Sequence, residues 1–122
     1  MKILIVDDIF TNRLLLTEVI RNIGHEFVQA KDGKEAVEAL LKEDFDLIFM
    51  DIEMPVMNGL ETTKFIRENF DNPKNKTPIV ALTAHNPKLF FEDFQDVGFD
   101  ELLTKPYSID KIASLIEKIT GH

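Results

Sequence analysis

Three short, nearly continuous apolar runs punctuate the chain: Ile3-Leu4-Ile5-Val6, Leu47-Ile48-Phe49-Met50 and Ile79-Val80-Ala81-Leu82. Runs of this length without polar alternation suit strands covered on both faces, as in a parallel sheet. Phe27-Val28 and Leu102-Leu103 sit in shorter, more mixed stretches, which predicts strands at the sheet edges. Between the runs the period becomes helical. Leu15, Leu16, Val19, Ile20 and Ile23 recur at helical spacing, and Gly24 can take the left-handed conformation that ends a helix. Asp32 with Glu35 reads as a capping pair opening a second helix, with Val37, Leu40 and Leu41 expected inward. Asn58 with Glu61 repeats that logic for a third helix, whose buried face carries Leu60 and Ile66. Phe90, Phe91, Phe94 and Val97 form a fourth stripe stopped by Gly98, read as core packing with part left over for a partner surface. Ser108 opens a fifth helix along Ile109, Ile112, Leu115, Ile116 and Ile119, and Gly121 closes it. The polar, proline-bracketed stretch 71–78 is expected to be a surface loop.

Strands alternating with helices of this length imply five β–α units with right-handed crossovers, hence a doubly wound α/β fold with a parallel sheet and helices on both faces. In such sheets, sites form beyond the carboxyl ends of the strands. The polar residues standing there are Asp7 and Asp8 after the first run, Asp51 after the third strand, Thr83 after the fourth and Lys105-Pro106 after the fifth. The parallel arrangement brings all of them to one rim. Singly, each has a plain structural role: aspartates start loops, threonine caps helices, and lysine is a solvated charge. Four such coincidences at four strand ends favour a site.

Composition narrows the chemistry. The 122 residues fit one domain, taken as 1–122, with 44% hydrophobic and 30% charged residues. The formal charge of −8 argues against a nucleic-acid or anionic-membrane partner, since phosphates are held by Lys and Arg. No cysteine is present, which excludes disulfides, thiolate catalysis and Cys-ligated metals. With neither a spanning stretch nor a signal-peptide core, the expected location is the cytoplasm.

Three carboxylates at one rim would repel by about 4 kcal/mol per pair at about 4 Å and an effective dielectric of about 20. Lys105 offsets one charge and a divalent cation would offset two. Hard oxygen donors without His or Cys favour Mg²⁺, with Mn²⁺ as a substitute, and Mg²⁺ leaves coordination positions to water or phosphate oxygens. An aspartate can act as nucleophile toward phosphorus, while Lys and Thr can hold phosphoryl oxygens.

The segments ILIVDD, IFMDIEMPVMNG, PIVALTA and LLTKP, in this order and covering essentially the whole chain, resemble the signature stretches of response-regulator receiver domains. The resemblance implies a flavodoxin-like three-layer sandwich with strand order 2-1-3-4-5. It implies that Asp51 accepts a phosphoryl group from a phosphohistidine of a histidine kinase or histidine phosphotransfer protein. It assigns Mg²⁺ to Asp8, Asp51 and the backbone carbonyl of Glu53, with Asp7 helping directly or through water. Thr83 and Lys105 would contact the phosphoryl oxygens, and Lys105-Pro106 would be cis. Such a domain catalyses its own phosphotransfer and dephosphorylation and is not a conventional enzyme. It signals through the surface of the fourth helix, fifth strand and fifth helix.

Leu102 replaces the aromatic that many receivers carry three residues before the lysine, so an aromatic rotamer switch is not expected. Tyr107 is expected instead to pack on the last helix. The DDIFTNR, MDIEMP and ALTAH stretches resemble hybrid-kinase and phosphorelay receivers more than transcription-factor receivers. Glu53 and His85, two residues beyond Asp51 and Thr83, occupy positions that tune phosphoryl lifetime in the family; His25 is expected at the surface and His122 in the tail. Three rival readings fit the same residues. An aspartyl-phosphate phosphatase would have Glu53 where an acid/base Asp usually stands, and would need a cap. A flavodoxin-like mononucleotide binder would face an anionic, glycine-free first loop. A receiver-like adaptor would bind partners without phosphorylation.

Overall fold

In the computed structural model, which describes residues 1–54, 56–84 and 86–121, strands and helices alternate from end to end. They are β1 (Lys2–Val6), α1 (Phe10–Asn22), β2 (Glu26–Ala30), α2 (Gly33–Lys42), β3 (Leu47–Asp51), α3 (Gly59–Asn69), β4 (Ile79–Thr83), α4 (Pro87–Phe94), β5 (Glu101–Thr104) and α5 (Ile109–Thr120). The five strands pair in parallel in the order β2-β1-β3-β4-β5, the doubly wound arrangement expected. β1, β3 and β4, the three apolar runs, are the central strands, and β2 and β5 are the edges.

Alternate residues of each central strand serve opposite layers. Ile3, Ile5, Leu47, Phe49, Val80 and Leu82 pack with Leu16, Val19 and Ile20 of α1 and Ile112 and Ile116 of α5. Leu4, Val6, Ile48, Met50 and Ile79 pack on the other face with Ala36 and Leu40 of α2 and Ile66 of α3. Phe90 of α4 extends that second layer over Ile52 and Ala81. Each Leu or Ile buried this way contributes roughly 1.5–3 kcal/mol relative to exposure, which fixes the strand register and with it the residues at the strand ends.

Most helix ends follow the local signals. Asn58 and Glu61 form a reciprocal capping box, the Glu61 N–H donating to Asn58 Oδ1 (2.9 Å) and the Asn58 N–H to Glu61 Oε1 (3.3 Å). Asp32 accepts the Glu35 N–H (2.8 Å), but the Glu35 carboxylate takes the Lys31 N–H, so this cap is not reciprocal. Ser108 caps α5, and Gly24 and Gly121 adopt positive φ beyond α1 and α5.

Some inward expectations fail. The buried face of α2 is Gly33, Ala36 and Leu40, which leaves Leu41 a further 100° round the helix and 69% exposed. Ile23 is exposed because α1 ends before it, and Ile109 is exposed in the first turn of α5, ahead of the buried Ile112–Ile116 face. α4 stops at Phe94, so Val97 lies in the following turn, its N–H donating to the Phe94 carbonyl. Phe90 is fully buried and makes an edge contact with Phe94 and a tilted one with Phe99, while the side chain of Phe91 lies outside the described residues. The 71–78 loop contains a short 3-10 turn at Lys74–Lys76 and is pinned: Lys74 Nζ bonds the Leu40 and Glu43 carbonyls at the end of α2. His25 is half-buried, its Nδ1 3.4 Å from the terminal amine. No helix among the described residues is long and apolar enough to cross a membrane.

Candidate functional site

The register that closes the core also lines up the strand ends. Asp51 and Thr83 are the last residues of β3 and β4, and Asp51 pairs beside Leu82. Thr83 pairs with Thr104, and the Lys105 N–H donates to the Thr83 carbonyl at 2.8 Å, so β5 delivers Lys105 beside Thr83. Asp7 and Asp8 emerge from β1, the neighbour of β3 on its other side. One carboxylate oxygen from each of Asp7, Asp8 and Asp51 lies within 4.8 Å of the other two.

The three acids are held differently. Asp7 is wholly buried. Its Oδ1 accepts the Ile9 N–H (2.9 Å), its N–H donates to the Ala30 carbonyl (3.1 Å), and Arg13 Nη1 donates to its carbonyl oxygen (2.6 Å). Asp8 is exposed at the mouth. Asp51 is 1% exposed; its Oδ1 accepts the Glu53 N–H (3.1 Å) and the Lys105 ammonium (3.3 Å). Its Oδ2 is buried without a hydrogen-bond donor. Burial is the main reason its pKa rises to about 6; the Glu53 N–H opposes the rise, Asp7 adds to it and Lys105 opposes it. The carboxylate is therefore ionised at neutral pH and held at high energy.

Glycine and a strained residue shape the loop after Asp51. A Cβ on Gly59 would lie 2.2 Å from the Asp51 carbonyl oxygen, so α3 can start this close to the site only with glycine there. Val56 has φ +69°, a left-handed conformation that costs a β-branched residue about 1–2 kcal/mol. Glu53 is exposed. Lys105–Pro106 is cis. Leu102 is half-buried against the Phe90 cluster. His85, expected near Thr83, lies outside the described residues, as do Pro55 and His122.

The residues named from the strand-end argument are thus brought together: Asp7, Asp8, Asp51 and Lys105 by direct geometry, and Thr83, 1% exposed, through its link to Lys105. Two neighbours were not foreseen. The ring of Tyr107 packs on the layer that includes α5, as expected, but its hydroxyl reaches Asp7 Oδ2 at 3.4 Å. Arg13 reaches back from α1 to the Asp7 carbonyl and also bonds Gln29. Its signal in the sequence was its place in the first turn of the helix that follows the acids, within reach of a long side chain.

Chemically, three clustered carboxylates against one ammonium leave a net charge of −2, with one buried oxygen lacking a donor. That is an arrangement that can bind a metal ion, and hard oxygens without nitrogen or sulfur ligands suit a hard divalent cation.

The doubly wound parallel sheet thus carries an acidic cluster and a lysine together at its carboxyl rim. The chain belongs to the response regulator receiver domain family, which it matches over residues 3–117. It is 38% identical over 98% of its length to the sensor protein GacS of Pseudomonas syringae pv. syringae, and spans 13% of that protein. It is similar to the receiver domain of sensor histidine kinase PA1611 from Pseudomonas aeruginosa PAO1, solved with a magnesium ion coordinated in the active-site cleft (TM-score 0.87, 27% identity, covering 99% of this chain and 98% of that one). It is also similar to a chain of the complex between the Saccharomyces cerevisiae phosphotransfer protein Ypd1 and the Ssk1 receiver domain (TM-score 0.86, 30% identity, 98% and 88% covered). It is a receiver domain of the kind used in two-component and phosphorelay signalling.

Proposed function

We propose that residues 1–122 act as a Mg²⁺-dependent phosphoacceptor domain that takes a phosphoryl group from a phosphohistidine onto Asp51. The observation that carries this reading is the setting of Asp51: buried, held through Oδ1 by Glu53 and Lys105, and with Oδ2 lacking a donor. A carboxylate fixed by one oxygen presents the other as a nucleophile.

Asp8, Asp51 and the main-chain carbonyl of Glu53 would hold the ion, with Asp7 helping directly or through water and Mn²⁺ as a substitute. When bound, the ion neutralises the carboxylates and the phosphoryl oxygens that approach them. The Asp51 oxygen attacks phosphorus, the P–N bond of the phosphohistidine breaks, and the departing imidazole keeps the electron pair and takes up a proton. Lys105 pairs with one phosphoryl oxygen and the Thr83 hydroxyl donates to another, so the charge added at Asp51 draws on residues from β4 and β5 together. The α4–β5–α5 surface that follows those strands then reports the change to a protein partner.

The phosphoryl source is a histidine kinase or a histidine phosphotransfer protein, a reading supported by the likeness to the Ssk1 receiver and to hybrid sensor kinases. The net charge of −8 favours protein partners over nucleic acid or membrane, and a cytoplasmic setting fits a phosphohistidine donor. Self-catalysed transfer and hydrolysis, rather than turnover of an outside substrate, is the activity proposed. Incubation with Mg²⁺ and a small phosphodonor such as acetyl phosphate, read by intact mass, tests it. A single phosphoryl gain absent from Asp51→Asn is expected; no gain, or a gain that survives in Asp51→Asn, refutes the proposal.

A further inference from the structure

We propose that the Tyr107 hydroxyl is a positioning residue for the acidic metal pocket, donating to Asp7 Oδ2 and thereby holding the Asp7 carboxylate in its ion-binding orientation. The inference rests on the reading of Asp7, Asp8 and Asp51 as an Mg²⁺ site. It assigns a role to a residue that the sequence led one to expect only as packing on the last helix.

Asp7 is wholly buried, so neither of its oxygens can rely on bulk water for a partner. The Ile9 N–H serves Oδ1 at 2.9 Å, and among the described residues the Tyr107 hydroxyl reaches Oδ2 at 3.4 Å. With both oxygens held and the Asp7 main chain tied by Arg13 and Ala30, the carboxylate plane has little freedom to turn. A phenol keeps its proton at neutral pH, so the Tyr107 hydroxyl can donate to the carboxylate. Its ring packs against the core cluster that includes Ile112 and Ile116, so the hydroxyl is delivered from a fixed support. Hydrogen-bond partners of metal-binding carboxylates commonly govern affinity by orienting the ligand. At 3.4 Å the contact is long for an O–H···O bond.

The contact also carries its own reporter. Tyr107 is the one tyrosine of the chain and tryptophan is absent, so intrinsic emission comes from this phenol. A phenol bonded to a carboxylate is quenched, and anything that alters the Asp7 charge alters the signal.

The test is a Mg²⁺ titration of the whole chain, by calorimetry for the native protein and Tyr107→Phe, and by tyrosine emission for the native protein and Asp7→Asn. Tyr107→Phe keeps the ring and removes only the oxygen. The expected results are a roughly threefold to tenfold weaker Mg²⁺ affinity with an unchanged circular dichroism spectrum, a saturable emission change in native protein, and brighter, Mg²⁺-insensitive emission in Asp7→Asn. In the Asp7→Asn background, Tyr107→Phe should produce no further loss of affinity. Affinity within twofold of native, tighter binding, or an emission unmoved by Asp7→Asn overturns the proposal. If native protein itself fails to bind Mg²⁺, the metal-site reading fails rather than the role of Tyr107 within it.

Discussion

Replacing Asp51 by asparagine should stabilise the metal-free protein while abolishing phosphorylation. Folding lifts the carboxyl pKa from 3.8 to about 6, chiefly through burial, and that value already includes the attraction of Lys105. The lift corresponds to about 3 kcal/mol at about 1.4 kcal/mol per tenfold. Between about pH 4 and pH 6 the folded protein holds a proton that the unfolded chain has released, so stability falls as pH rises through that window and stays low above it. An asparagine side chain has no such proton to lose. In urea titrations with EDTA at pH 7.5, Asp51→Asn is therefore expected to gain about 1–3 kcal/mol over native protein, shrinking to within about 0.5 kcal/mol near pH 4. Added Mg²⁺ should narrow the gap at pH 7.5 by stabilising native protein, by about 2.7 kcal/mol when its concentration is about 100 times Kd. An Asp51→Asn protein less stable than native at pH 7.5, or a gain independent of pH, would refute the claim that the buried charge is costly.

Three further outcomes follow from the local geometry. Gly59→Ala should destabilise by about 1–3 kcal/mol in urea unfolding and slow phosphoryl uptake, because the new methyl would press on the Asp51 carbonyl; equal stability and rate would contradict the close approach. Val56→Asn should stabilise by about 1 kcal/mol, since Val56 is 81% exposed, has φ +69°, and Asn tolerates that conformation better. Arg67 donates to the Gly98, Asn75 and Thr77 carbonyls and to the Asp100 carboxylate, tying α3 to the segments before β4 and β5. Arg67→Lys should then cost about 2–4 kcal/mol despite keeping the charge, as one ammonium cannot replace a fork of donors; a Tm equal to native would contradict this.

The fold was readable because its central strands are covered on both faces. β1, β3 and β4 carry uninterrupted apolar runs, and the intervening helices announce their ends at Gly24, Asp32, Asn58, Ser108 and Gly121. Residues at helix margins were less legible. Leu41, Ile23 and Ile109 are apolar yet exposed, and only the packed geometry decides which side of a helix end faces the sheet. The acids and Lys105 could be placed together from topology alone, because each directly follows or closes a strand. The links that refine the pocket could not. The Tyr107–Asp7 contact spans 100 positions of sequence, and the Arg13 reach to a main-chain oxygen depends on how α1 leaves β1.

The most direct test of the central claim is to locate the phosphoryl group. After incubation with Mg²⁺ and acetyl phosphate, borohydride reduces an acyl phosphate to an alcohol, converting the phosphorylated aspartate to homoserine, which peptide mass mapping places in the chain. Conversion confined to position 51, with Asp7 and Asp8 untouched, is the result expected. Conversion at either of those residues, or at none, would contradict Asp51 as the phosphoacceptor.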